Sequence, residues 1–133
     1  MKKQIINSIL NNCNVRLQPS TVCDGVGVFA IIPIPAGTVL FKDVIPDKEY
    51  IEFSELENVP REILNYLISM CNSDETGIYL SRTVNNINIS YFVNHADAPN
   101  VEHDLIHDEY RAIRNIDAGE EILCVYYENE KLF

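Results

Sequence analysis

Apolar positions in this chain fall mostly in short runs of β-branched and aromatic residues broken by Gly, Pro and Asn, a pattern that predicts strands. The longest runs are "VRLQ" (Val15–Gln18), "GVGVFAII" (Gly25–Ile32) and "TVLFKDVI" (Thr38–Ile45). Shorter strands are expected at Tyr50–Phe53, Ile78–Leu80, Val101–Leu105, Tyr110–Arg114 and Glu121–Tyr126, with "HDE" before Tyr110 as a hairpin turn. One segment follows a helical period instead. In "VPREILNYLISMCN" the residues Ile63, Leu64, Leu67, Ile68 and Cys71 form one apolar stripe, which predicts a helix over about residues 59–71. Pro60 suits its first turn, Asn58 is a candidate cap, and "NSDETG" ends it. The expected class is mostly β with one clear helix.

The chain also echoes itself. "FAIIPIPAGTVL" (Phe29–Leu40) aligns without gaps on "RAIRNIDAGEEI" (Arg111–Ile122). Ala30, Ile31, Ile34, Ala36, Gly37 and Leu40 fall against Ala112, Ile113, Ile116, Ala118, Gly119 and Ile122. Similar turns select similar residues, and one echo does not make a repeat fold. It does predict two equivalent β corners, one near each end, with residues 42–90 inserted between them.

At 133 residues the chain fits one domain with a core of its own. No run of about 18 apolar residues is present, so no membrane-spanning helix is expected. "MKKQIINSILNN" is interrupted by Asn and Ser and reads as mature chain, not as a signal peptide. Cys13, Cys23, Cys71 and Cys124 are scattered without a CxxC pair, which predicts reduced, packed thiols in an intracellular protein. Net charge is −10, from 20 acids and 10 bases. Ten acids lie between Asp97 and Glu130, against only Arg111 and Arg114. That balance argues against a nucleic-acid partner and for a basic one, although simple solubility explains it equally well.

Several constellations could carry chemistry. His95, His103 and His107 lie close in sequence, and "HDLIH" would put two histidines on one face of a helix, as a zinc hydrolase requires. The segment reads better as strand–turn–strand, which aims them apart and makes His103 and His107 solvated hairpin residues among acids. No GxSxG is present, and Cys124 reads as a packed thiol within an apolar strand, although a Cys–His pair through Cys71 or Cys124 stays open. The GxG at Gly25 and Gly27 marks a close backbone approach, but it lacks the third glycine and the helix of a dinucleotide site. In "GEEILCVYYEN" a strand runs into two tyrosines whose hydroxyls need partners if buried.

In order, the GxG before "VFA", then Asn94, His95, Pro99 and Asn100 spaced as NHxxxPN, then Gly119, Glu120, Glu121 and Tyr126 spaced as GEExxxxY resemble the SET domain family of S-adenosylmethionine-dependent protein lysine methyltransferases. Asn88, six residues before Asn94, stands where the family's preceding asparagine usually sits. The resemblance runs from Val15 to Tyr127 and is least specific in the middle. It divides the chain into an N-terminal SET part (15–41), a variable insert (42–87), a C-terminal SET part (88–127) and a short tail (128–133). The implied fold is several small sheets with the C-terminal strand threaded in a knot-like arrangement.

The resemblance implies Tyr126 as the catalytic tyrosine. It implies Gly25, Val26, Gly27, Tyr91, Asn94, His95 and Tyr126 at S-adenosylmethionine, with no metal. His95 would offer mainly backbone groups to the adenine and Asn94 would contact the methionine portion, while Pro99 and Asn100 shape the turn. A side chain at Gly25 or Gly27 would intrude on the cofactor. The sequence departs from the family pattern at Val125 (often Asp), Cys124 (often Phe or Tyr), Tyr91 (commonly Arg) and "ADA" (usually Ser-Cys). It also lacks the cysteine-rich zinc tail, so the lysine channel beside Cys124 would be closed by Tyr127, Leu132 or Phe133, or by a second subunit in a homodimer. Small stand-alone members of this kind resemble those of viruses and bacteria. The implied substrate is a basic protein such as a histone tail, in the cytoplasm or nucleus, with no nucleic-acid or membrane partner. Two other readings stand beside it: a SET-fold cofactor or peptide binder that transfers nothing, and a metal hydrolase built on His95, His103 and His107.

Overall fold

A computed structural model describes residues 1–44, 47–104 and 106–126. In chain order the first half holds α1 (Lys2–Asn12), β1 (Val15–Pro19), β2 (Val26–Ala30), β3 (Val39–Leu40), β4 (Lys48–Glu52) and a 3-10 turn at Phe53–Leu56. Next come α2 (Arg61–Met70), β5 (Gly77–Ser81) and a second 3-10 turn at Ile89–Phe92. The last strands are β6 (Asn94–His95), β7 (Val101–Asp104), β8 (Glu109–Ala112) and β9 (Glu121–Cys124). The chain divides into two compact units, one of Met1–Val44 with Phe92–Val125, the other of Ile45–Tyr91 with Tyr126–Phe133.

The first unit contains two sheets. One has the order β1-β2-β9-β6, and the other β3-β8-β7. Strand β2 is central, antiparallel to β1 on one side and to β9 on the other, so Gly27, Val28, Phe29 and Ala30 are all buried. Strand β6 joins the far edge parallel to β9, with Asn94 opposite Leu123 and His95 opposite Cys124. The core is made by Val28, Ile34, Val101, Ile116 and Ile122, each almost wholly shielded from solvent.

The two echoing segments are indeed equivalent corners, and they pair with each other. Ile34 and Ile116 exchange backbone hydrogen bonds, each N–H donating to the other's carbonyl at 2.8 Å. Gly37 N donates to Ala112 O at 2.7 Å, and Gly119 N donates to Ala30 O at 2.8 Å. Each glycine thus bonds the alanine that opens the opposite segment. Both have positive φ, 86° and 90°, where an L side chain is strained. The echo in sequence therefore records one turn used twice in a reciprocal contact.

Asn100 locks β9 in place. Its side-chain N–H donates to Glu121 O at 2.7 Å, and its side-chain oxygen accepts from Leu123 N at 2.8 Å. Its backbone N donates to Leu123 O at 3.0 Å, and its carbonyl accepts from Ile113 N at 3.0 Å. With 2% of the residue exposed, water cannot take over these bonds.

The second unit holds β4 paired antiparallel with β5, together with α2. The loop between α2 and β5 closes on Asp74, whose carboxylate accepts from Thr76 N at 2.9 Å, Gly77 N at 2.9 Å and Tyr50 OH at 2.8 Å. Pro60 itself is the N-cap of α2, so Asn58 does not cap it. Only Leu67 of the expected stripe is fully buried, and Ile63 is 51% exposed.

Three local expectations change. The strand expected over Thr38–Ile45 stops at Leu40, because Phe41 turns to a positive φ of 59°; its last residue, Ile45, lies outside the described set. The run Gly25–Ile32 ends at Ala30, before exposed Ile31 and Ile32. Helix α1 is an addition to the one expected helix. Ile5, Ile6, Ile9 and Leu10 have its i, i+3, i+4 spacing, but all are exposed and no core demand marks them.

Asn100→Ala leaves the Glu121 carbonyl and the Leu123 N–H buried without these partners, each at a cost of about 1–3 kcal/mol. Denaturant unfolding should show a loss of about 2–5 kcal/mol. A loss below about 1 kcal/mol would mean that another group satisfies β9.

Candidate functional site

At the entry to β9, Glu120, which precedes the strand, and Glu121, its first residue, point in different directions. Glu120 faces outward and pairs with Arg114 at 2.9 Å, which holds its carboxyl below the usual range and the guanidinium above it. Glu121 turns inward and is 6% exposed. One of its carboxylate oxygens accepts from Thr21 N and Thr21 Oγ1, both at 2.7 Å. The other accepts from Ser20 Oγ at 2.8 Å and Asn94 Nδ2 at 3.2 Å. Burial pushes this carboxyl up, but the bonds from Thr21, Ser20 and Asn94 outweigh it and hold it below the ordinary glutamate value.

Asn94 reaches the same carboxylate from β6. Its Nδ2 also donates to Val26 O at 3.0 Å and to Ser20 Oγ at 3.2 Å. Gly27 makes room for this arrangement. A Cβ there would overlap the Glu121 carboxylate, 2.9 Å from its Cδ, and come within 3.3 Å of Asn94 Nδ2. The side chain that glycine excludes would therefore collide inside the protein. At Gly25 a Cβ would meet only Cys23 Sγ at an ordinary 3.7 Å, so within the protein itself this position has room for a side chain.

The structure thus gathers Gly27, Val26 and Asn94 of the expected set around Glu121, Ser20 and Thr21, which the sequence had not assigned to a site. The available signal was a second acid directly ahead of an apolar strand, where only one of two neighbours can face solvent. His95 is paired with Cys124 through the backbone of β6, and its ring meets the Asp97 carboxylate at 3.2 Å. Cys124 is buried, as expected of a packed thiol, whereas Val125 is exposed.

In the second unit, Tyr91 meets Ser81 through its hydroxyl at 3.2 Å, with the Lys48 ammonium 4.8 Å above its ring. Asn88 caps the turn that leads to it, accepting from Ser90 N at 2.9 Å and from the Ser90 hydroxyl. Tyr126 is half-buried two residues beyond β9. Tyr127, Leu132 and Phe133 lie outside the described residues.

The remaining histidines and thiols bring two corrections. His103 is 4% exposed, bonded to Asp108 at 2.8 Å and stacked on Tyr110 at 4.1 Å, so it belongs to the interior and is not solvated. His107 is the exposed one; the Asp104 carboxylate at 2.7 Å raises its pKa. Among the described residues no three metal-ligating side chains cluster. No disulfide joins the cysteines among the described residues, and Cys13 and Cys23 are exposed and not packed.

The family model for the SET domain matches residues 25–127. Among solved structures, a candidate histone methyltransferase of Plasmodium falciparum is similar at 21% identity and a TM-score of 0.55, over 86% of this chain and 94% of that one. A humanized mutant of the Chaetomium thermophilum Polycomb Repressive Complex 2, bound to an inhibitor, is similar at 26% identity and a TM-score of 0.58, over 86% of this chain. A structure of ctPRC2 in an autoinhibited conformation bound to S-adenosylmethionine is similar at 24% identity and a TM-score of 0.58, over 87% of this chain. This chain spans 15% of the length of each of those two larger chains. No curated protein sequence matches it.

Because the folded pKa of Glu121 is depressed, its contribution to stability is fully present above the unfolded value of about 4.3 and is lost as pH falls through the folded value. Glu121→Gln should therefore lower stability at neutral pH and flatten the acid limb of a stability–pH curve. An unchanged limb would mean that the carboxylate is not held as an anion. Gly27→Ala should cost about 1–3 kcal/mol by forcing the same carboxylate aside, as read by thermal unfolding.

Proposed function

The chain belongs to the SET domain family, and on that premise we propose that it is an S-adenosylmethionine-dependent protein lysine N-methyltransferase. One observation carries the reading. Gly27 of the GxG, Asn94 of the NHxxxPN segment and Glu121 of the GEExxxxY segment come from distant parts of the sequence and meet in one hydrogen-bonded cluster. The similar structures include a candidate histone methyltransferase and a ctPRC2 structure bound to S-adenosylmethionine.

The residues fit that cofactor. Among the described residues Asn94 Oδ1 receives no protein hydrogen bond, which leaves one acceptor for the methionine portion. When bound, S-adenosylmethionine supplies an electrophilic methyl group on a cationic sulfur. The acceptor lysine must be neutral to attack, although a free lysine titrates near ~10.4. A dry, apolar channel that ends at a positive charge disfavours the ammonium form. Tyr126 is assigned to orient the amine lone pair through its hydroxyl, and positioning of this kind supplies much of the rate. The assignment rests on the match of Tyr126 to the family motif.

The surface supports a basic substrate such as a histone tail. Arg111 and Arg114 are engaged by Glu109 and Glu120, whereas the Asp97 side chain is fully exposed and the net charge is −10. Attraction of a Lys- and Arg-rich peptide to such a surface weakens with salt.

The test is transfer of labelled methyl from S-adenosylmethionine to core histones and to a mixed cell lysate. Wild type should label protein lysines, and Tyr126→Phe should lose about 100-fold in rate while binding cofactor normally. If wild type binds cofactor but labels nothing, the transferase reading falls and the chain is a SET-fold binder.

A further inference from the structure

Asn94 Nδ2 carries two N–H groups and faces three acceptors: Val26 O at 3.0 Å, Glu121 Oε2 at 3.2 Å and Ser20 Oγ at 3.2 Å. Two of these, a carbonyl and an ionised carboxylate, can only accept. Reversing the amide would set Oδ1 against both oxygens with no proton between them. The amide therefore has one tenable orientation, and its remaining atom is an acceptor.

The carboxylate that imposes this choice is itself fully specified. Oε1 takes two donors from Thr21, and Oε2 takes one from Ser20 and one from Asn94. Ser20 Oγ gives its proton to Glu121 and accepts from Val22 N at 3.1 Å and from Asn94. Among the described residues Asn94 Oδ1 takes no protein donor, so the amide keeps one acceptor outside the cluster.

We propose that Glu121, held by the Ser20–Thr21 loop, is a positioning residue that fixes the Asn94 amide so that Oδ1 faces the ligand and selects a hydrogen-bond donor there. The proposal rests on the cofactor reading above and sharpens it. Asn94 recognises the α-ammonium of the methionine portion and not its carboxylate. Glu121 never touches the ligand. It acts by closing the alternative amide orientation.

Glu121→Gln tests this directly. The new amide must offer its oxygen to Thr21 N, which points its NH2 at Asn94 Nδ2, so donor opposes donor and the Asn94 orientation is no longer imposed. The measurement is calorimetric affinity for two probes, S-adenosylhomocysteine and its analogue lacking only the α-amino group. In wild type, loss of the amine should cost at least about tenfold, the worth of a hydrogen bond to a charged group. In Glu121→Gln that ratio should shrink to about twofold, while affinity for the amine-free analogue stays within about twofold of wild type. A second variant, Ser20→Ala, removes one donor to the carboxylate without adding a competing one and should shrink the same ratio by a smaller factor; it serves if Glu121→Gln does not fold. Equal losses for both probes, or an unchanged ratio in both variants, would overturn the positioning role and leave the cofactor reading intact. Failure of wild type to bind either probe would remove the cofactor reading, and this inference with it.

Discussion

Burial of β9 is the constraint on which the rest of the first unit depends. This four-residue strand lies between β2 and β6, and Glu121, Ile122 and Cys124 are all shielded from water. Strand pairing alone leaves polar backbone groups at its ends, and an unpaired buried amide or carbonyl costs about as much as several good contacts supply. Asn100 answers this with one residue. Its side chain imitates a peptide unit, donating to Glu121 O and accepting from Leu123 N, while its own backbone bonds Leu123 O and Ile113 N. Only asparagine and glutamine carry an amide, which sets a donor and an acceptor on one planar group as a peptide unit does.

The strand that closes the fold also builds the site. Asn100 fixes the backbone of β9 at Glu121 and Leu123, and the carboxylate of Glu121 then reaches Thr21, Ser20 and Asn94. Placement of the ligand-facing amide is thus two hydrogen-bonding steps from the core. A carboxylate fixed by a mobile strand could not choose between amide orientations, because a shift of half an ångström would let water take its place. The reciprocal corners at Ile34 and Ile116 hold the two long segments that carry β2 and β9, so the same economy of backbone pairing supports both.

Much of this was legible in the sequence, for physical reasons that differ by element. Strand runs such as Val26–Ala30 and Glu121–Cys124 show because buried strands demand consecutive apolar residues. The corners show because a positive φ selects Gly37 and Gly119 in equivalent frames. Asn94, Pro99 and Asn100 show through their resemblance to a family motif, and their hydrogen bonds account for the residue types at Asn94 and Asn100. What stayed hidden lacks such a signature. Helix α1 buries nothing, so its periodic isoleucines carry no packing requirement. His103 looks like a polar turn residue until Tyr110 and Asp108 are seen to enclose it. Ser20 and Thr21 are ordinary loop residues, and their role follows only from a partner 100 positions away.

Glu121 and Glu120 show two different uses of a carboxylate. Among the described residues no cation pairs with Glu121, and its charge is held by neutral donors alone. Short bonds from an amide and hydroxyls are directional and little affected by ionic strength, whereas an ion pair tolerates a range of geometries and weakens with salt if exposed. For fixing an amide, direction matters more than strength. The acidic exterior works by the opposite logic: its attraction for a basic chain is long-ranged, undirected and screened within about 10 Å at 0.1 M salt. The same residue type thus serves two physical purposes at adjacent positions of the chain. Glu120 adds to the outer field and meets Arg114, and Glu121, turned inward, is an anion defined by geometry.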